Sequence, residues 1–191
     1  HIGKHLVIKP SWEKYDAKAD DLVIEIDPGM AFGTGTHHTT SMCMEYLEEI
    51  ITPQAEVFDV GTGSGILSIA AAKLGAKSIV AVDIDANAVR IAKENIAGNG
   101  LSEVIAVKEG DLLHGTEGKA DVIIANIIAD IIIMLLPDVA QKLKADGKFL
   151  ASGIIEERED DIKKAASASG LKVISTRHKG GWVAMLMALE D

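Results

Sequence analysis

The feature that most restricts the fold of this chain is the stretch 57–66, which reads Val-Phe-Asp-Val-Gly-Thr-Gly-Ser-Gly-Ile. An apolar run leads into three glycines at alternate positions, and a helical pattern of apolar residues follows. Glycine tolerates positive φ angles and lets the backbone approach a ligand closely. The helix beyond it presents unpaired N–H groups at its N-terminus. The stretch therefore predicts the strand, turn and helix of an α/β protein, with a nucleotide-sized pocket at the carboxyl end of the strand.

The glycine spacing separates this turn from two other nucleotide-binding loops. The dinucleotide fingerprint G-x-G-x-x-G would need its third glycine at position 66, which is Ile66. A P-loop is excluded because no Gly-Lys-Ser/Thr follows. The remaining pattern is D-x-G-x-G-x-G, with Asp59 two residues before the first glycine, and it resembles motif I of the S-adenosylmethionine-dependent methyltransferases. On the glycines alone, a tight turn without any ligand is the alternative interpretation.

Strand and helix patterns alternate along the rest of the chain. Strands are predicted at 57–60, 78–83, 104–107, 121–125 and 148–151. The helix after the fourth strand is expected to end at Leu136, with Pro137 opening a second helix. Alternation predicts a parallel sheet with helices on both faces, and the residues from 172 to 189 predict a terminal antiparallel hairpin around two glycines. The expected fold is a Rossmann-like, doubly wound and mostly parallel seven-stranded sheet, whose strand order is commonly 3-2-1-4-5-7-6 in class I methyltransferases.

Polar residues and glycines mark the carboxyl ends of the predicted parallel strands. Gly61 and Gly63 follow the first strand, and Asp83 ends the second strand about 20 residues later, where an acid can accept both ribose hydroxyls. Asn126 ends the fourth strand, and Asp111 follows the third, where an adenine amino group is expected. A solvated strand end is the alternative for Asp83 alone. Together these positions predict binding of S-adenosylmethionine, with S-adenosylhomocysteine as the product.

Composition narrows the function classes further. The 191 residues fit one domain, and no run of about 18 apolar residues could span a membrane. A single cysteine, Cys43, cannot form an internal disulfide, which fits a reducing cytoplasm. The net charge of −10 argues against nonspecific nucleic-acid binding and is compatible with a basic protein substrate. We expect no metal site, because the adjacent His37 and His38 have no cysteine or carboxylate at ligand spacing.

A long loop motif carries a more specific resemblance. The stretch 27–40 reads Asp-Pro-Gly-Met-Ala-Phe-Gly-Thr-Gly-Thr-His-His-Thr-Thr, and its glycines and threonines predict a loop. Together with the Asn-Ile-Ile-Ala of 126–129, it resembles the PrmA family, whose members methylate amino groups of large-subunit ribosomal protein eleven in bacteria. The match runs over essentially the whole chain. It implies a protein N-methyltransferase acting on a lysine side chain or an N-terminal amine.

The resemblance also implies residue roles. Carried onto this sequence, the family pattern gives four cofactor contacts, which are Thr40, Gly61, Asp83 and Asn126. The loop 32–40 is expected to act as a lid in which Phe32 covers the apolar part of the cofactor. The side-chain oxygen of Asn126, with the carbonyl of Ile127, is expected to hold the incoming amine, which makes Asn126 the predicted catalytic residue.

The family pattern further suggests a domain division and partners. Residues 1–26 are interpreted as the end of a linker, and 27–191 as the methyltransferase domain. Family members carry an additional N-terminal domain that recognises the ribosomal protein, so this chain is expected to be the catalytic domain alone. The expected partner is the ribosomal protein, without nucleic acid or membrane. Three alternatives stay open: a class I methyltransferase of another protein or a small molecule, a non-catalytic S-adenosylmethionine-binding module, and a nicotinamide oxidoreductase, which Ile66 disfavours.

Overall fold

The structure of the protein is a computed structural model that describes residues 2–26 and 37–191, without the side chain of His37. In chain order the elements are β1 Leu6–Lys9, β2 Leu22–Glu25, α1 His37–Ile50, β3 Glu56–Val60, α2 Ile66–Lys73, β4 Ser78–Asp83, α3 Ala86–Gly98, β5 Ile105–Glu109, β6 Ala120–Asn126, α4 Ala129–Lys142, β7 Leu143–Ile155, α5 Glu159–Ala168, β8 Leu171–Lys179 and β9 Trp182–Leu189.

The main sheet has the predicted topology. Its seven strands lie in the order β5-β4-β3-β6-β7-β9-β8, which is 3-2-1-4-5-7-6 when β3 is counted as the first. The strands β3 to β7 pair in parallel, while β9 is antiparallel to both β7 and β8. The prediction of a doubly wound, mostly parallel sheet with a terminal hairpin is therefore confirmed.

The apolar runs of the central strands are buried on both faces of the sheet. Val57 and Ile124 belong to a core cluster that α1, α2 and α3 cover, whereas their neighbours Phe58 and Ile123 belong to a second cluster under α4 and α5. Successive side chains of a strand point to opposite faces, so a strand covered on both sides must be apolar throughout. This explains why the sequence pattern of these strands is continuous instead of alternating.

Two helix predictions are wrong. The residues from 129 to 142 form one helix, α4, with Pro137 inside it, where a break was expected. Proline removes one helical hydrogen bond and disfavours a helix interior by about 3 kcal/mol, but Leu136 and Val139 on either side are fully buried in the second core cluster. Tertiary packing therefore outweighs the local preference. The other error concerns residues 37–40, which were assigned to a loop and instead form the first turn of α1.

The N-terminal segment packs on the same core as the sheet. β1 and β2 pair in parallel as a separate two-stranded sheet, and their residues Leu6 and Ile24 are fully buried in the first core cluster. At the end of α3, Asn99 accepts a hydrogen bond from the Glu25 N–H (3.0 Å) through Oδ1 and donates to the Glu25 carbonyl (2.8 Å) through Nδ2. The Asn99 amide thus pairs with β2 as a neighbouring strand would. The domain boundary after residue 26 stays a prediction.

Asn99→Ala is expected to free the backbone of Glu25 and loosen β2. Loss of both side-chain hydrogen bonds should destabilise the protein by about 1–3 kcal/mol, because partly buried backbone groups are left unpaired. Hydrogen exchange of the Glu25 amide, followed by mass spectrometry or NMR, should accelerate. Asn87→Ala on the exposed side of the same helix is the control and should leave Glu25 unchanged. Equal exchange in both variants would contradict this role of Asn99.

Candidate functional site

The candidate site lies where the parallel strands β3, β4 and β6 end. Parallel pairing places their carboxyl ends on one edge of the sheet, which we call the carboxyl edge. The connection after β3 passes over the first core cluster through α2, while that after β6 passes over the second through α4. Open α/β sheets bind ligands at such a switch point. The structure thus brings Gly61, Asp83 and Asn126 to one edge.

The glycine turn adopts the backbone conformation that the sequence predicts. Gly61, Gly63 and Gly65 have φ angles of 70°, 57° and 86°, a region that L-residues with a Cβ rarely occupy. The Gly61 N–H donates to the carbonyl of Val82 at 2.8 Å, and the Gly63 N–H donates to Oδ2 of Asp83 at 2.9 Å. The turn after β3 is therefore tied directly to the end of β4.

A buried carboxylate holds the inside of this turn. Asp59 accepts hydrogen bonds from the Thr62 hydroxyl (2.8 Å) and the Ser68 hydroxyl (2.7 Å) through Oδ2. Burial raises the pKa of Asp59 to about 6; the two hydroxyls oppose the shift and the nearby Asp83 adds to it. Sequence reasoning noted Asp59 in the motif but assigned it no role, although hydroxyl residues three and nine positions later were the available signal.

Asp83 ends β4, and backbone N–H groups donate to both of its carboxylate oxygens. One of its oxygens accepts from Gly63, and the other accepts from the Asp85 N–H at 3.0 Å. Each carboxylate oxygen can accept a second hydrogen bond, so both still have capacity for a ribose. The next residue, Ile84, has a side chain that is 72% exposed. This exposed apolar group at the carboxyl edge was missed by sequence reasoning, and its position directly after Asp83 was the signal.

The side chain of Asn126 has a buried hydrogen-bond acceptor to which no described residue donates. Its Oδ1 atom is buried and has no hydrogen-bond partner among the described residues. A buried polar atom left unpaired costs about 1–3 kcal/mol, so such an atom is a candidate contact for a ligand. The backbone beside it is fixed, because the Ile127 N–H donates to the carbonyl of Ser152 at 3.0 Å. Asn126 Oδ1 therefore fits a ligand that donates an N–H.

Thr40 lies on α1 near the same edge. The ring of His38 packs against Gly180, where a Cβ would lie 2.7 Å from Cδ2 of the histidine. Gly180 is in the turn of the terminal hairpin, which reaches the carboxyl edge because Trp182 pairs with Ile155 at the end of β7. The first turn of α1, which includes Thr40, is therefore at the carboxyl edge.

Asp111 is at the rim of the site, and Phe32 lies outside the described residues. The Gly110 N–H donates to the Asp83 carbonyl at 3.0 Å, which keeps Asp111 beside the end of β4. Its side chain is 63% exposed, and the His114 ring is 3.9 Å away. The lid expected at 32–40 falls largely on residues 32–36, which also lie outside the described part of the chain.

Three further features of the described residues concern metal binding, membrane crossing and the single thiol. Within 2–26 and 37–191, no group of three or more His, Cys, Asp or Glu side chains is arranged to hold a metal ion. Nor does any helix there have the length and apolar character needed to cross a membrane. The thiol of Cys43 is fully buried, and burial raises its pKa to about 12, so it behaves as an apolar core residue.

Comparison with known proteins identifies the family. Residues 1–190 match the family described as ribosomal protein L11 methyltransferase (PrmA). A ribosomal protein L11 methyltransferase of Desulfitobacterium hafniense is 52% identical over 95% of this chain and 58% of its own length, and one of Caldanaerobacter subterraneus is 53% identical over 97% and 60%. The chain belongs to the PrmA family. It spans less than two thirds of the length of these curated relatives.

Solved structures agree with this assignment. The crystal structure of a ribosomal protein L11 methylase from Lactobacillus delbrueckii subsp. bulgaricus has a TM-score of 0.95 at 38% identity, covering 100% of this chain and 98% of the other. A putative tRNA (m1A22) methyltransferase of Streptococcus pneumoniae has a TM-score of 0.66 at 22% identity, covering 78% of this chain and 69% of the other. The second similarity supports the methyltransferase fold alone.

Asp59→Asn tests how much the ionisation of the buried Asp59 carboxyl destabilises the protein. The pKa of Asp59 is higher in the folded state than its unfolded value of 3.8, so its protonated form stabilises the fold. This contribution to the free energy of unfolding is full below pH 3.8 and is lost as the pH rises through about 6. Between pH 4 and pH 7.5, the wild type should lose on the order of 2–3 kcal/mol relative to the Asn variant, which stays neutral. Urea unfolding of both proteins across this range measures the difference. If the difference in unfolding free energy between the two proteins did not change with pH, a raised pKa of Asp59 would be contradicted.

Proposed function

We propose that this chain is the catalytic part of an S-adenosylmethionine-dependent methyltransferase that acts on amino groups of ribosomal protein L11. Membership of the PrmA family and the names of its relatives support the reaction and the substrate. The observation that carries the proposal is the buried Asn126 Oδ1, which no group within residues 2–26 and 37–191 satisfies and which lies at the same sheet edge as the glycine turn and Asp83. A ribosomal substrate would place the reaction in the cytoplasm.

The residues of the glycine turn and β4 would hold the cofactor. Gly61 and Gly63 supply the positive φ angles that shape the turn around the cofactor, and Asp83 offers its oxygens to the ribose hydroxyls. Ile84 supplies an exposed apolar surface for the adenine ring. Thr40, Phe32 and Asp111 stay predicted contacts from the sequence. When bound, S-adenosylmethionine supplies a methyl group that its sulfonium already activates toward nucleophiles.

Asn126 and Ile127 would hold the amine that accepts the methyl group. Both the amide oxygen of Asn126 and the carbonyl of Ile127 accept N–H groups, so they can orient the nitrogen lone pair without reacting themselves. A lysine amine has a pKa of about 10.4 and must lose its proton before it attacks. The partly buried Ile127 and the exposed Ile128 give it apolar neighbours, which favour the neutral form.

The tetrapeptide at 126–129 also suits an alkyl amine. Ala129 occupies the position where the Asn-Pro-Pro-Tyr motif of other amino-group methyltransferases has an aromatic ring that stacks on planar acceptors. A flexible side chain such as lysine needs no stacking partner. Catalysis would then depend mainly on positioning, since effective molarities of well-oriented groups reach about 10⁵ M or more. We therefore propose lysine side chains and N-terminal amines as the acceptors.

The cofactor assignment predicts which ligands stabilise the chain. S-adenosylmethionine and S-adenosylhomocysteine should raise the unfolding free energy, by about 2.7 kcal/mol at a hundred times Kd, whereas NAD should have no effect. Asp83→Ala should weaken S-adenosylhomocysteine binding by about 1.5–3 kcal/mol, typical of hydrogen bonds to a charged group. Thermal shift and calorimetry measure both, with Asp146→Ala in the exposed residues of β7 as control. Stabilisation by NAD alone would refute the proposal.

The acceptor assignment predicts that a substitution at Asn126 affects the turnover of L11 more than the affinity for the cofactor. In the full-length protein, Asn126→Ala should lower kcat with L11 more than it weakens S-adenosylhomocysteine binding, because its oxygen serves the amine as well. Turnover at saturating cofactor, compared with calorimetric Kd, makes the test, and Asn87→Ala provides the matched control. Wild-type turnover in Asn126→Ala would remove Asn126 from the acceptor site.

A further inference from the structure

Strand β7 contains a bulge beside the candidate site. Ala151 pairs with Met185 and Ile154 pairs with Val183, so β7 advances by three residues while β9 advances by two. The extra residue falls at Ser152–Gly153, and Gly153 has a φ of 83°. A bulge of this kind redirects the local backbone and is often found next to active sites. Here it lies against the segment that follows β6.

The backbone of Ile127 rests directly on this bulge. A Cβ built on Gly153 would lie 2.6 Å from the carbonyl oxygen of Ile127 and 3.0 Å from its carbonyl carbon and nitrogen. These are backbone atoms, which cannot rotate away as the end of a side chain can. The Ile127 N–H donates to Ser152 in addition. The bulge therefore fixes the backbone of Ile127 on both sides, at its carbonyl group and at the nitrogen that joins it to Asn126.

The side chain of Ile127 reaches the glycine turn on its other side. A Cβ built on Gly61 would lie 2.7 Å from Cγ2 of Ile127. Ile127 is thus held between two glycines, with its backbone against Gly153 and its Cγ2 methyl against Gly61. No other residue type fits at either glycine without displacing Ile127. This arrangement connects β7, the segment after β6 and the turn after β3 through one residue.

We propose that Gly153 and Ile127 are positioning residues of the methyl transfer. The bulge sets the place of the Ile127 carbonyl and of Asn126, and the Cγ2 methyl of Ile127 sets their distance from the turn at Gly61. This inference rests on the proposed function, since it assigns the acceptor side to Asn126 and Ile127. A displacement of about 1 Å between reacting groups can lower a rate by about 10²-fold, so the contact matters more for turnover than for binding.

Gly153→Ala in the full-length protein tests the bulge. The matched control is Gly170→Ala, because Gly170 has a similar φ of 86° but no atom within 4 Å of an added Cβ. Both variants should lose stability through the same backbone strain. Only Gly153→Ala should lower kcat with L11, by tenfold or more at saturating S-adenosylmethionine, while S-adenosylhomocysteine affinity by calorimetry falls less than threefold.

Substitutions at Ile127 test the contact with the glycine turn. Ile127→Val keeps the Cγ2 methyl and should retain kcat, whereas Ile127→Ala removes it and should lower kcat. A readout without turnover is S-adenosylhomocysteine affinity in double variants. Ile127→Ala should rescue part of the affinity lost in Gly61→Ala, since it makes room for the new methyl. It should not rescue kcat in Gly153→Ala, whose clash is with backbone atoms.

The outcomes separate the two hypotheses. A wild-type protein that neither binds S-adenosylhomocysteine nor methylates L11 would overturn the proposed function and this inference with it. An active wild type in which Gly153→Ala matches Gly170→Ala, or in which Ile127→Ala gives no rescue of Gly61→Ala, would overturn this inference alone. A selective loss of kcat together with the rescue would establish it.

Discussion

The pairing of β3 with both β4 and β6 is the constraint on which the site depends. Because β3 lies between two parallel neighbours, its carboxyl end opens between theirs, and a turn there can contact both. The contacts to β4 are hydrogen bonds from Gly61 and Gly63, and the contact toward β6 is the packing of Ile127 on Gly61. The positive φ angles of both residues and the close approach of Ile127 to Gly61 favour glycine in the turn. The glycine pattern is thus a consequence of the sheet order, which places the turn after β3 between the ends of β4 and β6.

The carboxyl edge also contains buried polar groups whose burial lowers the stability of the protein. Asp59 is buried as a carboxyl whose pKa is raised, and the buried Oδ1 of Asn126 has no hydrogen-bond partner in the part of the chain that the structure describes. Each costs a few kcal/mol at most, and the two-sided core of the sheet can support that loss because its central strands are apolar on both faces. Sites that bind ligands commonly retain such local strain. The apolar core offsets the cost of both groups: Asp59 is buried with two hydroxyl donors, and Asn126 Oδ1 is buried with no partner among the described residues.

Much of the fold could be predicted from the sequence, because its strands are short apolar runs that end in glycine or a polar residue. Asp83 and Asn126 were identified as site candidates for the same reason: each ends such a run. The role of Pro137 could not be predicted, since burial of its helical neighbours overrides its local preference. The contact between Ile127 and Gly153 could not be predicted either, because it depends on a register shift between β7 and β9 that no local pattern encodes.

The charges around the proposed acceptor position suit an amine that must be neutral. A carboxylate beside a lysine amine stabilises its charged form and raises its pKa, which would oppose attack on a methyl group. At the carboxyl edge, Asp59 is enclosed by Thr62 and Ser68, and Asp83 is bound to backbone N–H groups on the β4 side. The acceptors that we propose for the amine are instead the amide oxygen of Asn126 and the backbone carbonyl of Ile127, both neutral. Such acceptors can orient an N–H without holding the proton on the nitrogen. In the proposed site the two tasks are separate: carboxylates order the turn after β3, and uncharged oxygens would order the nucleophile.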